Sequence, residues 1–320
     1  MLYALTISMK KKVEESIRKY QMLSKNNPVP VGFSGGKDSL TAILLLKELG
    51  YDVRPVIVDR GDILFNSRKI AENLYQHFEI EADILNLRDH HFLQTISPRS
   101  SEMIKMYLHK IDNIASDESL CTPCYNARTI ALKEYTKKLG ANSFVIGQHK
   151  TDMITSLLKC YWTEIYYYTF TKPRGIPYDG FRMKELIESS EIDINYLEKM
   201  VKEGRAATDD PPVEIIDDVK LVRPLEAVSE SEIRDFVKKF NYPYESGNCS
   251  YREKEPRPFR LLVQFDLERR LKENPELEDL LYNFVLMGLN SDGTLKYRPR
   301  NLRDKLYPGF KPFQRKVGNI

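Results

Sequence analysis

The sequence lacks an apolar run long enough to cross a membrane, and its N-terminal stretch has no small-residue cleavage site of the signal-peptide kind. It also lacks a strong charge of either sign, because 49 basic residues nearly balance 46 acidic ones over 320 residues. The net charge of +3 fits an anionic ligand but does not by itself indicate nucleic-acid binding. No internal repeat is evident. We therefore expect a globular, cytoplasmic protein with no membrane partner and with one large domain or two smaller ones.

Cysteine is scarce, with four residues in the chain: Cys121, Cys124, Cys160 and Cys249. Without an export signal, a Cys-x-x-Cys pair is more often metal-binding or redox-active than a disulfide. Cys121 and Cys124 stand at the start of a predicted helix, where the helix dipole favours thiolates. No second pair completes a four-ligand zinc site. For Cys121 and Cys124 the residues alone leave three roles open: ligands of a metal cluster together with Cys249, a redox dithiol, or a purely structural role. Cys160 is predicted to be a buried, small apolar residue.

Short apolar segments alternate with helical segments along most of the chain. The segments predicted as strands are 31–34, 53–59, 82–87, 142–149 and 219–225. The segments predicted as helices are 9–24, 38–48, 66–78, 91–113, 121–139, 151–161, 184–205, 229–240, 257–272 and 276–288. This alternation predicts an α/β fold with a doubly wound parallel sheet, in which ligands bind at the carboxyl ends of the strands.

The alternation breaks in an aromatic, proline-containing segment and resumes after it. We expect a helical or irregular insert there, which contributes to substrate binding, and helices at the C-terminal end of the core. The predicted divisions are an N-terminal helix (1–24), the core (25–160), the insert (161–216), the end of the core with Cys249 and the C-terminal helices (217–295), and a tail (296–320). The tail is basic, because it contains eight lysines and arginines and a single acidic residue, Asp304.

A short glycine-rich turn follows the first predicted strand. Its residues are Ser34, Gly35, Gly36, Lys37, Asp38 and Ser39. It is shorter than the Walker loop of kinases and GTPases. The two glycines let backbone amides approach an anion, the following helix directs its positive end at the same point, and the lysine and serines add donors. Asp38 can cap the helix or help to hold a magnesium ion. An ordinary strand–turn–helix junction is the alternative, and we favour phosphate binding.

This turn resembles the pyrophosphate loop (PP-loop) of the ATP pyrophosphatase superfamily. The resemblance implies that the enzyme cleaves ATP between its α and β phosphates, adenylates an oxygen atom and releases pyrophosphate. It also implies an adenine nucleotide alpha hydrolase-like fold. Asp59, at the end of the next strand, would lie near the adenosine, and Gly147 would belong to the same nucleotide site.

The order of four motifs resembles the TtcA/TtuA-type enzymes that thiolate tRNA. SGGKDS, CTPC, GQHKTD and NCS occur in that family's order, and the likeness covers about 25–160 and 218–290. It implies that Cys121, Cys124 and Cys249 ligate a [4Fe-4S] cluster whose open iron binds sulfide. Arg128 matches a basic position of the family, and Asp152 matches an acid that supports magnesium or proton transfer. The chain departs from the pattern at Thr151, which replaces the first acid of that motif, and in its long insert.

The expected reaction is ATP-dependent thiolation of a tRNA pyrimidine, with ATP, Mg²⁺ and the cluster as cofactors. The sulfur donor is unknown, and relatives of this type suggest a homodimer. The insert aromatics Trp162, Tyr166, Tyr167, Tyr168 and Phe170 are candidates for stacking on bases. Alternatives are thiolation of a small molecule or free base, an amide-forming or PAPS-reductase-like enzyme of the superfamily, and a non-catalytic iron–sulfur or RNA-binding module.

Overall fold

The computed structural model describes residues 2–61, 65–113, 121–176, 179–244 and 259–297. Cys249 and most of the basic tail lie outside these ranges. The chain divides into two compact units. The first comprises Met1–His149 and Pro212–Glu255, and the second comprises Lys150–Pro211 and Pro256–Ile320. The predicted insert, 161–216, lies in the second unit apart from its last residues.

Six strands and the helices between them account for most of the described chain. The strands are β1 (Val29–Gly32), β2 (Val53–Asp59), β3 (Asp83–Asn86), β4 (Ser143–Val145), β5 (Val213–Ile216) and β6 (Val219–Val222). The helices are α1 (Leu2–Lys19), α2 (Lys37–Glu48), α3 (Ser67–Phe78), α4 (His90–Thr95), α5 (Pro98–Asp112), α6 (Cys121–Lys138), α7 (Lys150–Tyr166), α8 (Lys172–Arg174), α9 (Gly180–Ser189), α10 (Ile194–Lys202), α11 (Glu230–Lys238), α12 (Phe259–Glu273) and α13 (Leu277–Met287).

The first unit is built on one sheet with the strand order β3-β2-β1-β4-β6-β5. All neighbouring strands run parallel except β5, which pairs antiparallel with β6. From β1 the chain winds outwards to β2 and β3, and from β4 it winds the other way to β6. The point of reversal therefore lies between β1 and β4, which confirms the predicted doubly wound α/β fold.

Helices cover both faces of this sheet. On one face α1, α2, α3 and α11 bury apolar side chains such as Met9, Leu45, Ile70 and Phe236. On the other face α5 and α6 bury Ile104, Ala131 and others against β2 and β6. Strand β1 and residues 55–58 of β2 are covered on both faces, and these stretches are continuously apolar rather than alternating, as parallel strands require.

Some predicted elements differ from the structure in their limits. The predicted helix 91–113 is two helices, because the Ser97 side chain caps a new helix that has Pro98 in its first turn. The predicted helix 184–205 is also two helices, and the second begins after the Asp193 cap. Strand β5 lies in a region predicted as insert. It forms a tight hairpin with β6, in which Asp217 adopts a positive φ of 56°.

The second unit is helical. Helix α7 runs into a π-helical turn, Tyr167–Thr171, and then into α8, which ends before Gly175 with a φ of 64°. Trp162 and Tyr166 are fully buried in the core of this unit. The prediction that these two rings stack on bases is therefore wrong, because they face the protein interior. Tyr168 differs, since 49% of its surface is exposed.

None of the helices in the described part of the chain combines the length and apolar character needed to cross a membrane.

Candidate active site

Two loops of the first unit meet where the strand order reverses. The SGGKDS loop follows β1, and Gly147 follows β4, its parallel neighbour. A Cβ atom on Gly147 would lie 2.6 Å from the backbone nitrogen of Ser39. Only a residue without a side chain allows the two backbones to come this close. The structure therefore brings these two predicted segments together at the edge where doubly wound sheets bind ligands.

The first turn of α2 has no side-chain cap. Its N-cap residue is Gly36, and no side chain caps the first turn, although the Gly36 amide donates a hydrogen bond to Ser34 Oγ at 3.4 Å. Asp38 therefore does not cap the helix, although the sequence allowed that role. The first amides of a helix have no partners within the helix, so they are available to an anion at this point. Gly35 has a φ of 79°, a conformation that glycine adopts without strain.

The loop is held in shape by its own hydroxyl groups. Ser39 Oγ accepts a hydrogen bond from the Ser34 backbone nitrogen at 3.3 Å and donates to the Gly36 carbonyl oxygen at 3.1 Å. Ser34 Oγ lies 3.2 Å from Ser39 Oγ. These contacts order the loop before any ligand binds, which lowers the entropy cost of binding.

The ammonium group of Lys37 lies between two carboxylates. Its Nζ is 2.8 Å from Asp38 Oδ1 and 3.2 Å from Glu230 Oε1. Burial alone would lower the pKa of Lys37, but the two carboxylates outweigh it and raise that pKa. His149 Nε2 lies 3.7 Å from Asp38 Oδ1, so a buried imidazole completes this cluster. Lys37 is therefore a fixed positive charge beside the helix start.

Asp59 ends β2, as predicted, and shapes the turn that follows it. Its Oδ1 accepts a hydrogen bond from the Gly61 backbone nitrogen at 2.7 Å, and its Oδ2 accepts one from Ser67 Oγ at 2.6 Å. Both carboxylate oxygens thus contact the turn and the start of α3. The predicted contact with adenosine stays a prediction.

Cys124 lies in the first turn of α6, one helical turn after Cys121, and is partly buried. The Arg60 guanidinium donates a hydrogen bond to Cys124 Sγ at 3.1 Å. The side chain of Cys121 and all of Cys249 lie outside the described residues. Within the described ranges, no group of three His, Cys, Asp or Glu residues has the geometry of a metal site. The predicted set of three cysteine ligands is therefore not tested by the described side chains.

A buried arginine that the sequence did not indicate braces α6. Arg223 has no exposed surface, and its Nε donates to Gln148 Oε1 at 2.5 Å. Its Nη2 lies 3.3 Å from both Tyr125 Oη and Glu214 Oε2. Arg223 thus ties the ends of β4 and β6 to the residue next to Cys124. Glu214 supplies the opposite charge that a buried guanidinium requires.

Arg128 lies one turn further along α6. Its side chain is half-buried and has no hydrogen-bond or ion-pair partner among the described residues. A guanidinium placed like this can bind an anionic group.

Asp152 lies in the second unit, on the first turn of α7. Its Oδ1 is 2.7 Å from Arg260 Nη2, and Asp210 Oδ2 is 3.4 Å from Arg260 Nη1. Burial would lower the pKa of Arg260, but the two carboxylates outweigh it and raise that pKa. Thr151, which stands where the family has an acid, donates to Glu278 Oε1 at 3.1 Å. Asp152 is therefore held by Arg260 within this unit.

The match to a family model agrees with this geometry. Residues 29–156 match the model described as queuosine biosynthesis protein QueC, which is a PP-loop family. Residues 29–156 therefore match a PP-loop domain. This confirms the predicted resemblance of the SGGKDS loop, and the domain spans the loop, the Cys-x-x-Cys motif and Gly147.

Two curated relatives each match about half of the chain. The tRNA-5-methyluridine(54) 2-sulfurtransferase of Thermotoga maritima is 25% identical over 159 residues, which is 48% of this chain and 48% of the relative. The tRNA-cytidine(32) 2-sulfurtransferase of Colwellia psychrerythraea is 26% identical over 156 residues, which is 47% of this chain and 44% of the relative. The chain thus spans about half the length of these relatives.

One solved structure resembles the chain over nearly its whole length. The U34-tRNA thiolase NcsA of Methanococcus maripaludis, solved with its [4Fe-4S] cluster, matches with a TM-score of 0.58 at 17% sequence identity. The match covers 98% of this chain and 91% of that chain. At this identity the likeness shows that the fold is shared.

Proposed function

We propose that the protein is an ATP-dependent sulfurtransferase that thiolates a tRNA base. One observation carries the proposal: Arg60, which directly follows strand β2 at the nucleotide-binding edge, contacts the Sγ atom of Cys124 at 3.1 Å. A phosphate-binding loop and a cysteine of the Cys-x-x-Cys motif thus lie at the same edge of one sheet. Adenylation and sulfur delivery need this proximity. The names of the two curated relatives support tRNA as the substrate.

The PP-loop residues fit the pyrophosphate part of ATP. The glycine-capped start of α2 offers unpartnered amides, and Lys37 offers a fixed positive charge. In the proposed first step a carbonyl oxygen of the base attacks the α-phosphorus of ATP, and the bond to pyrophosphate breaks. Lys37 and the amides stabilise the charge that develops on the departing pyrophosphate. Asp38 is the carboxylate closest in sequence to this point and would hold Mg²⁺.

In the proposed second step a sulfide attacks the activated carbon. AMP leaves with the former carbonyl oxygen, and the base retains a C=S group. Arg128 has a guanidinium with no protein partner in the described chain, and it would bind the phosphate of the adenylate. The catalytic role of Asp152 stays a prediction, and Arg260 fixes the orientation of its carboxylate within the second unit.

The positions of Cys121 and Cys124 on α6 support the proposal of an iron–sulfur cluster. Cys121 and Cys124 are one helical turn apart at a helix start, and a guanidinium faces the second sulfur. With Cys249 as third ligand, a bound [4Fe-4S] cluster would supply an open iron site for sulfide.

The test measures AMP formation from ATP and thionucleoside formation in an unmodified tRNA transcript, with sulfide as donor. We expect both products from the anaerobically reconstituted protein. Lys37→Met should reduce AMP formation at least tenfold, whereas Lys47→Met, at the exposed far end of α2, should leave it unchanged. AMP formation that needs no tRNA and yields no thionucleoside would contradict the proposal and favour a small-molecule substrate.

A further inference from the structure

The contact between Arg60 and Cys124 has a consequence beyond the proposed reaction. A guanidinium has only hydrogen-bond donors, so the sulfur is the acceptor in this contact of 3.1 Å. We propose that Arg60 is a positioning residue for the Cys124 sulfur and raises the reduction potential of an iron–sulfur cluster bound through it. The inference rests on the proposed function, because it requires that Cys124 ligates the cluster.

The backbone of Arg60 is held in place by a second arginine. Arg88 Nε donates a hydrogen bond to the Arg60 carbonyl oxygen at 2.7 Å. The Arg88 guanidinium also makes two hydrogen bonds with Asp112 at the end of α5, at 2.7 and 3.0 Å. Arg88 therefore connects the turn after β2 to the end of α5.

The same turn is fixed on its other side by Asp59. Its carboxylate binds the backbone nitrogen of Gly61, which has a φ of 75°. A Cβ atom on Gly61 would lie 2.7 Å from Arg88 Cδ, so the turn and the Arg88 side chain fit closely together. Because the backbone on both sides of Arg60 is restrained, less conformational entropy is lost when its side chain meets the sulfur.

The sign of the effect follows from charge. Reduction adds an electron to a cluster, and hydrogen bonds to its sulfur atoms stabilise the more negative state. A fixed cation at the same sulfur acts in the same direction. Arg60 should therefore make the cluster easier to reduce, and its removal should lower the reduction potential.

The experiment compares four anaerobically reconstituted proteins: wild type, Arg60→Gln, Arg60→Lys and Arg54→Gln. Arg54 is the matched control because it is an exposed arginine on β2, the strand that Arg60 follows, and its guanidinium pairs with Asp52. Iron and sulfide per chain, the reduction midpoint followed by electron paramagnetic resonance, and the melting temperature are measured for each protein.

We expect Arg60→Gln to shift the midpoint to a lower potential, Arg60→Lys to lie between Arg60→Gln and wild type, and Arg54→Gln to match wild type. If Arg60→Gln melts normally but retains no cluster, while Arg54→Gln retains it, the positioning role is supported. If Arg60→Gln does not fold, the reduction midpoint of Arg60→Lys is compared with that of Arg54→Gln, and a lower midpoint in Arg60→Lys supports the inference whereas equal midpoints overturn it.

If the Arg60 variants contain as much iron as wild type and have the same reduction midpoint, the role of Arg60 is overturned but the proposed function is not. A wild-type protein that binds no iron and sulfide overturns the cluster of the proposed function, and the inference falls with it. The two failures are therefore distinguishable.

Discussion

The backbone of Gly147 lies against the backbone of Ser39, with room for a hydrogen atom but not for a methyl group. We predict that Gly147→Ala separates the two loops of the site and lowers ATP-dependent AMP formation more than tenfold. Overpacking of this kind costs about 1–3 kcal/mol of the free energy of unfolding. Urea unfolding and AMP formation test the prediction together.

Gly50→Ala is the control for this variant. Gly50 has a φ of 80° and no atom within 4 Å of its Cβ position, so alanine there introduces backbone strain without a clash. We expect a stability loss of about 1 kcal/mol with normal AMP formation. If both variants lose stability and activity alike, the close approach of Gly147 to Ser39 does not matter for the site.

Glu230 gives the first unit a pH-dependent contribution to stability. Burial raises its pKa, but Lys37 and Arg234 outweigh that effect, so the pKa lies below the ordinary value of a glutamate. A carboxylate with a lowered pKa stabilises the fold above its unfolded pKa of about 4.3, and this stabilisation is lost as pH falls through the folded pKa. Glu230→Gln should therefore be less stable than wild type at pH 7.

The difference in free energy of unfolding between these two proteins should shrink as pH falls below about 4.3. Urea unfolding at several pH values measures it. Glu48→Gln, at the exposed end of α2, is the control and should show little difference at any pH. A gap between Glu230→Gln and wild type that stays constant with pH would count against the ion pair with Lys37.

Asp152 and Arg260 should be energetically coupled in the second unit. Each single variant, Asp152→Asn or Arg260→Gln, leaves a partly buried partner without its contact, and we expect a loss of about 1–2 kcal/mol. The double variant should cost less than the sum of the two, with a coupling energy of about 0.5–3 kcal/mol. Strictly additive losses in urea unfolding would mean that the contact of 2.7 Å does not stabilise the unit.

Tyr168 is an exposed aromatic residue of the insert and is therefore accessible to RNA. Its ring is 49% exposed, and Lys172 Nζ lies 4.9 Å from the ring centroid. Stacking of a base on an aromatic ring contributes about 1–3 kcal/mol. Tyr168→Ala should therefore weaken tRNA binding at least fivefold, and Lys172→Ala should reduce the dependence of binding on salt.

Tyr75→Ala is the matched control for tRNA binding, because Tyr75 is 55% exposed but lies on α3 of the first unit. Filter binding of a tRNA transcript at several salt concentrations measures all three variants. Equal tRNA affinities for wild type and Tyr168→Ala would show that Tyr168, in the π-helical turn, does not contribute to RNA binding.

Cys121, Cys124 and Cys249 should each be needed for the cluster, and Cys160 should not. We expect serine at any of the first three positions to reduce iron and sulfide to less than half of the wild-type content after reconstitution. Cys160→Ser is the control, since Cys160 Sγ lies 3.3 Å from the Ala207 carbonyl oxygen and packs in the helical core. Equal iron content in Cys160→Ser and Cys249→Ser, both below wild type, would contradict the assigned ligand set.

The sequence predicted the parts of the fold that depend on local pattern. Alternating apolar strands and amphipathic helices predicted the parallel sheet, and the glycine pair after β1 predicted the turn that leads into α2 at Gly36. Strand β5 was missed because four residues after a proline-containing loop carry too weak a pattern. The strand is recognised by its antiparallel pairing with β6 across the turn at Asp217, and this pairing is visible only in the structure.

The electrostatic partners in the site were beyond the reach of one sequence. Glu230, Arg60 and Arg223 are ordinary charged residues in their local sequence. Each becomes informative only when the fold brings it to Lys37, Cys124 or Gln148. In the aromatic insert the sequence suggested a functional role where there is none. Trp162 was a candidate for stacking on bases, but its side chain is buried in the core. Local pattern does not show which face of an aromatic helix is turned inward.

The start of α2 links the proposed ligand to the stability of the fold. The helix begins at Gly36 without a side-chain cap, so a pyrophosphate bound there as proposed would take the place of that cap. Ligand binding and the first turn of the helix would then depend on the same backbone amides, and the ligand should slow the hydrogen exchange of those amides.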